Sequence, residues 1–184
     1  CIHPQGTKIS CFGIVESGIL KAVNNTINGV EQCHSYFEAK DLFPEFLYFT
    51  GRKNYVYTLI AEKKSTVLWI PVHVLEEMLE KDQGLMYALL LYVCQRGLKD
   101  QLYLNCLNYQ TIRERIAYWI VGLHNLSPVE SVHMPGSQLI LANMLHVSRS
   151  SLNQELKLMQ KDGYFKVRGR EMYELDEEKL NALL

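Results

Sequence analysis

The chain's clearest chemistry lies in ten consecutive residues near its C-terminus, Ser148-Arg149-Ser150-Ser151-Leu152-Asn153-Gln154-Glu155-Leu156-Lys157. Leu152, Leu156 and Met159 recur at the spacing of one inward helix face. Arg149, Ser150, Ser151, Asn153, Gln154 and Lys157 are then left on the outward side. An arginine fork fits the guanine O6/N7 edge, a glutamine amide fits adenine N6/N7, and a serine hydroxyl fits either. Arg149, Ser150 and Gln154 are therefore the candidates for reading base edges. Ser148, Lys157, Lys166, Arg168 and Arg170 suit phosphate oxygens, contacts that position without specifying. Between 149 and 170, six cations face only Glu155 and Asp162, an excess of four positive charges; the last fourteen residues hold an excess of four negative ones. A formal net charge of −1 over 184 residues thus conceals a basic stripe, and a stripe suffices to attract a polyanion. Charge alone fits a solvated helix with a charged hairpin equally well.

The elements around this segment strengthen the nucleic-acid reading. Ser137 can cap a first short helix with Leu139, Ala142, Met144 and Leu145 inward, His146-Val147 makes a turn, Ser148 caps the second helix and Gly163 stops it. Tyr164 to Val167, the turn Arg168-Gly169-Arg170, and Met172 to Leu175 form a β-wing. Upstream, Thr111-Ile112-Arg113-Glu114 is a capping box. It opens a helix carrying Ile116, Ala117, Trp119, Ile120, Val121 and Leu123, so 108–111 is the candidate hinge. Ser127-Pro128 and Pro135-Gly136 bound a loop or short strand.

A proline-free stretch from about Gln83 to Tyr109 predicts a long helix with apolar residues on more than one face, which must be covered on more than one face. Met86, Leu90, Val93 and Leu104 follow a 4-3 spacing that suits a second copy of the helix, although Gly97 and Asp100 fall in the same seam. A core helix within a monomer is the other reading. Pro71 with Val74, Leu75, Met78 and Leu79 predicts a shorter helix before it. Residues 1 to about 70 predict β-structure: a glycine-interrupted run over 13–23, a hairpin signal at Asn28-Gly29, a run alternating Cys33, Ser35 and Phe37 against Gln32, His34 and Tyr36, then runs over 55–61 and 66–70. Such a series suggests a jelly-roll or other β-barrel.

Composition removes several classes. At 48% hydrophobic and 21% charged, the chain can bury a core. It shows no apolar run long enough to span a membrane and no signal-peptide start. Five cysteines at irregular spacing without Cys-x-x-Cys argue against a disulfide framework or zinc finger and for a reducing, cytoplasmic setting. Only His3 and His34 lie in the β region, too few for a metal-dependent barrel enzyme. No nucleophile triad or phosphate loop stands out, so an enzyme is not expected. The first residue is Cys1 rather than Met, and an upstream stretch is expected to be missing.

The run Leu141-Ala142-Asn143-Met144-Leu145-His146-Val147-Ser148-Arg149-Ser150-Ser151-Leu152-Asn153-Gln154-Glu155-Leu156-Lys157 resembles the winged-helix signature of the CRP/FNR family of bacterial transcription regulators. Lys161-Asp162-Gly163 resembles that family's helix exit, Lys40-Asp41-Leu42-Phe43-Pro44-Glu45 its Gly-Asp-Leu-Phe-Gly-Glu element, and Ser17-Gly18-Ile19-Leu20-Lys21 one of its strands. The resemblance implies an α+β fold: an N-terminal β-roll sensor domain (1–80), a dimerisation helix (81–109) and a C-terminal winged helix-turn-helix domain (110–184). It also implies a homodimer on double-stranded DNA carrying an inverted repeat, with RNA polymerase as a further partner.

Departures from the family carry information. His146 stands where the turn commonly has Gly, and histidine tolerates left-handed backbone better than most residues. The familiar Arg-Glu…Arg triplet is Arg149-Ser150…Gln154, so the operator is expected to differ from that of the cyclic-AMP receptor. Glu45 occupies the place of the ribose-holding glutamate, but the phosphate-holding Arg-Ser pair is replaced by Asn54-Tyr55, which lacks a charge-assisted contact. Phe37, Asp100 and Gln101 complete the candidate effector pocket, and the neighbouring aromatics Tyr36, Phe43, Phe46, Tyr48, Phe49 and Tyr57 are core or cavity lining. The effector is therefore read as a small organic molecule or none. A cyclic-nucleotide responder with a phosphate site rearranged around Arg52 and Lys53, or a β-roll module that never binds DNA, is the alternative. No cofactor is expected: Cys1 and Cys11 do not make an iron–sulfur cluster, and His34 and His73 are isolated as haem ligands.

Overall fold

A computed structural model describes residues 1–25, 28–29, 31–126 and 131–184, with only the backbone of His34. The chain divides into two compact units, Cys1–Cys94 and Gln95–Leu184.

The first unit holds two three-stranded antiparallel sheets. β1 (Cys11–Ser17) lies between β4 (Leu42–Phe43) and β6 (Thr66–Pro71), and β2 (Leu20–Asn25) lies between β3 (Glu31–Phe37) and β5 (Thr58–Ala61). Successive strands β1 and β2 thus enter different sheets, the arrangement of a roll rather than a meander. Val15, Leu20, Ala22, Phe37, Phe43 and Leu59 share one buried cluster, while Phe12, of opposite parity to Val15 on β1, is buried in a second cluster on the other face of the strand. Gly13 is required on β1, because a Cβ there would stand 2.2 Å from Cζ of the Phe43 ring. Thr26, Ile27 and Val30, beside the expected Asn28-Gly29 turn, lie outside the described residues; Asn25 pairs with Glu31 across it. A bulge between Ala22 and Val23 interrupts the alternation expected of β3. The run expected to begin at Tyr55 becomes a strand only at Thr58.

Helix α1 (Glu45–Phe49) follows Pro44, and α2 (Val72–Lys81) follows Pro71 as its spacing predicts. Leu75 and Leu79 pack against Phe12, but Met78 faces out. Helix α3 (Gln83–Cys106) is continuous across the division between the units.

In the second unit, α4 (Ile112–Leu126) opens on the expected box. Thr111 Oγ accepts from the Glu114 amide at 3.2 Å, and the Glu114 carboxylate accepts from the Thr111 amide at 2.9 Å. α5 (Gln138–Met144) is capped by Ser137 and α6 (Arg149–Lys161) by Ser148. The turn between them passes through His146 at φ 54°, the left-handed conformation its glycine-like position requires. Gly163 stops α6 at φ 80°. β7 (Ser131–His133), β8 (Lys166–Arg168) and β9 (Glu171–Tyr173) form one sheet in the order β7-β9-β8, so the wing has a third strand. The expected loop at Ser127-Pro128 lies outside the described residues. α7 (Glu177–Asn181) follows, with Leu180 buried. Trp119, Leu141, Leu145, Leu152, Leu156 and Met159 share one core, each side chain of this size contributing about 1.5–3 kcal/mol of burial. Leu139, expected inward, is 40% exposed; the core takes Ile140 instead.

Candidate nucleic-acid interface and effector region

Amphipathic spacing positions α6. With Leu152, Leu156 and Met159 buried, Arg149, Ser150, Gln154 and Lys157 are exposed. The Ser148 hydroxyl accepts from the Ser151 amide at 3.0 Å and lies 2.8 Å from the Ser150 and Ser151 hydroxyls. Ser148 thus fixes the start of the helix.

Folding redistributes the charges counted along the sequence. Lys166 pairs with Glu174 at 2.5 Å, and Arg168 pairs with Glu171 at 2.8 Å while lying 5.6 Å from the Tyr173 ring. Glu171 is held below the ordinary carboxylate range by the Arg168 guanidinium. The second strand of the wing therefore neutralises cations of the first through Glu171 and the adjoining Glu174. Arg149, Lys157, Lys161 and Arg170 form no ion pair among the described residues.

Two arginines that the sequence reading passed over organise this unit. From the first turn of α4, Arg113 Nε donates to Glu155 Oε1 at 2.6 Å and Nη2 lies 3.1 Å from Asp162 Oδ2, with the guanidinium 5.6 Å from the Tyr164 ring. Arg115 donates from Nε to the Tyr109 carbonyl at 2.9 Å and from Nη1 to the Leu145 carbonyl at 2.8 Å, joining the candidate hinge to the turn before α6. A signal for both was present. Cations in the first turn of a helix oppose its dipole and need partners from elsewhere in the fold.

The effector candidates differ in burial. Glu45 opens α1 and is 2% exposed. Tyr55 is buried, stacks on His3 at 4.9 Å, and burial raises its phenol pKa; its hydroxyl has no hydrogen-bond partner among the described residues. Phe37 packs in the core against Phe43, ring centroids 5.3 Å apart. Asn54 is exposed, its backbone bridging to Lys8. Phe46 and Phe49, expected among core or cavity aromatics, are exposed. Asp100 and Gln101 are exposed on the part of α3 that belongs to the second unit.

On α3, Leu85 and Leu89 pack beside Phe12, Leu75 and Leu79, while Leu102, Tyr103 and Cys106 enter the core of the second unit. Met86, Leu90, Leu91, Leu98 and Leu104 remain exposed, Leu90 at 58% and Leu104 at 66%; Val93 is half-buried.

Residues 1–82 match the cyclic nucleotide-binding domain family, and residues 114–183 match the Crp-like helix-turn-helix domain family. The chain belongs to the CRP/FNR family of transcription regulators. Among solved structures this regulator is similar to FixK2 from Bradyrhizobium japonicum, with 15% identity, 99% of this chain and 91% of that one covered, and a TM-score of 0.71. It is also similar to CprK complexed with OCPA, with 16% identity, coverage of 100% and 84%, and a TM-score of 0.70. CLP from Xanthomonas campestris, described as a c-di-GMP responsive global regulator, gives 20% identity, coverage of 94% and 87%, and a TM-score of 0.60. At these identities the likeness is one of fold. No curated protein matches the chain by sequence. In this CRP/FNR-family regulator Asn54 is exposed, Tyr55 is buried, and neither is a cation. Among the described residues no helix is long and apolar enough to cross a membrane, and no group of three or more His, Cys, Asp or Glu could hold a metal ion.

Proposed function

We propose that this regulator acts as a homodimer on double-stranded DNA carrying an inverted repeat. Arg149, Ser150 and Gln154 read bases, Ser148, Lys157 and Arg170 hold phosphates, and Lys166 and Arg168 contribute less because each already has a carboxylate partner. The observation that carries the reading is the exposed polar face of α6 opposite the buried Leu152, Leu156 and Met159, within a Crp-like helix-turn-helix domain. Pairing through α3 is supported by its uncovered Met86, Leu90 and Leu104. RNA polymerase is the further partner that the family implies, and the cytoplasm the compartment. The domains function as a sensor over 1–80, a dimer helix over 81–109 and a DNA-binding domain over 110–184.

The effector is a small organic molecule or none. Glu45 is buried as a ligand-facing carboxylate would be, yet neither Asn54 nor Tyr55 supplies the cation a cyclic phosphate needs. The solved relatives do not choose for it, since one is described as c-di-GMP responsive and another is complexed with OCPA. A ligand here would act by binding one arrangement of the recognition helices better than another. Two measurements test the proposal. Arg149→Ala/Gln154→Ala should abolish promoter occupancy, and unchanged occupancy contradicts the assignment of α6. Calorimetry with cyclic AMP and cyclic GMP should show no binding; micromolar binding instead favours a phosphate site rebuilt around Arg52 and Lys53.

A further inference from the structure

Between Arg149 and Arg170 the chain carries two acids, Glu155 and Asp162, and one side chain from a different helix holds both. We infer that Arg113 is a positioning residue for the DNA interface: it keeps Glu155 and Asp162 drawn toward α4 and neutralised, so that the outer face of α6 presents Arg149, Lys157 and Lys161 without opposing charge. The inference rests on α6 being the recognition helix.

Three features of the geometry support it. Glu155 directly follows Gln154, a base-reading candidate, and a free glutamate at that place would either repel phosphates or accept from cytosine N4. Its bond to Arg113 Nε, 2.6 Å long, withdraws it from both. The division of labour is one that arginine alone provides, with Nε on Glu155 and Nη2 on Asp162, while a lysine ammonium offers no planar fork. The same guanidinium lies on the Tyr164 ring, so the first turn of α4, the rear half of α6 and the entry to the wing share one anchor. Glu155 holds the guanidinium above its ordinary pKa, consistent with a strong donor–carboxylate contact.

Arg113 and Glu155 are partly exposed, and ion pairs of that kind contribute little to stability. The effect belongs in DNA affinity, where a carboxylate within the roughly 10 Å reach of unscreened charge opposes the phosphates. The test measures binding by anisotropy, across a salt series, to the duplex that wild-type protein enriches from a random library. Arg113→Ala should bind about tenfold more weakly at low salt, with the gap narrowing as salt rises and the thermal midpoint nearly unchanged. Adding Glu155→Gln and Asp162→Asn to it should bring affinity back to within about threefold of wild type. An Arg113→Ala protein that binds like wild type overturns the inference. So does a triple variant as weak as the single one, which would mark Arg113 as a direct phosphate contact or a plain structural residue. Should Arg113→Ala not fold, Glu155→Gln/Asp162→Asn with Arg113 intact should bind at least as tightly as wild type; a clear loss overturns the inference by showing that the carboxylates themselves engage DNA. Failure of wild-type protein to bind any duplex removes the recognition-helix reading and this inference together, whereas wild-type binding with Arg113 indifferent removes only the inference.

Discussion

Arg149 and Gln154 make different demands on DNA from those of Lys157, and substitution should separate them. Replacing Arg149 or Gln154 with Ala is expected to cost about 1–3 kcal/mol on the preferred site and to relax preference at one position. Lys157→Ala should weaken binding to all sequences alike and lower the salt slope by about one. Arg170→Ala should behave like Lys157→Ala, while Lys166→Ala and Arg168→Ala should change the slope less, because Glu174 and Glu171 already neutralise those cations. Salt titrations of the four lysine and arginine variants at 157, 166, 168 and 170 check the ordering; equal slopes for Lys166→Ala and Arg170→Ala would contradict it. At this scale the sequence shows which side chains can touch DNA. It does not show which are engaged elsewhere, because ion pairs such as Lys166–Glu174 join residues on opposite strands of the wing and Arg113–Glu155 joins two helices. Only the folded backbone sets those distances.

Among the elements, those with strong local signals were legible. The Thr111 box, the Ser137 and Ser148 caps, the His146 turn and the Gly163 stop all stand where their chemistry puts them. The cap opening α4 gives a pH prediction. Hydrogen bonds from the Thr111 amide and hydroxyl hold the Glu114 carboxyl below its ordinary pKa. A depressed carboxylate stabilises the fold above its unfolded pKa and loses that contribution as pH falls through the folded value. Glu114→Gln should therefore flatten the acid limb of the stability–pH profile and leave it unchanged in shape near neutrality. Thr111→Ala should cost about 1 kcal/mol at neutral pH. Both are read from thermal midpoints. Elements of five residues or fewer were less legible. α1 and α7, five residues each, are too short to form on propensity alone, and α7 is anchored by the buried Leu180. Asp176-Glu177-Glu178 contributes to the acidic excess of the last fourteen residues and is also a helix start: Asp176 Oδ1 accepts from the Lys179 amide at 3.0 Å. β7 has three residues and is recognisable only by its pairing with β9.

For the whole molecule, the 24-residue helix α3 carries the decisive pattern. Its apolar residues exceed what either compact unit covers, and the excess includes Leu90 and Leu104. If the wild type is the proposed dimer, light scattering should give it twice the 21.3 kDa chain mass, and Leu90→Asp/Leu104→Asp should give a folded monomer of 21.3 kDa. A monomer should lose affinity for a two-half-site duplex far more than for a single half-site. The effector region was the least legible part. Phe37, Asn54 and Tyr55 are all candidates for one pocket by residue type, and only the fold shows that Phe37 and Tyr55 are buried while Asn54 is exposed. The most direct test of sequence-specific, two-fold DNA recognition is selection from a random double-stranded library by the purified protein at moderate salt, with and without a metabolite extract. Enrichment of an inverted repeat with half-site centres about one helical turn apart is the expected result, and dependence on the extract would show an effector. Absence of enrichment in both conditions would contradict the assignment of α6 as the reading helix.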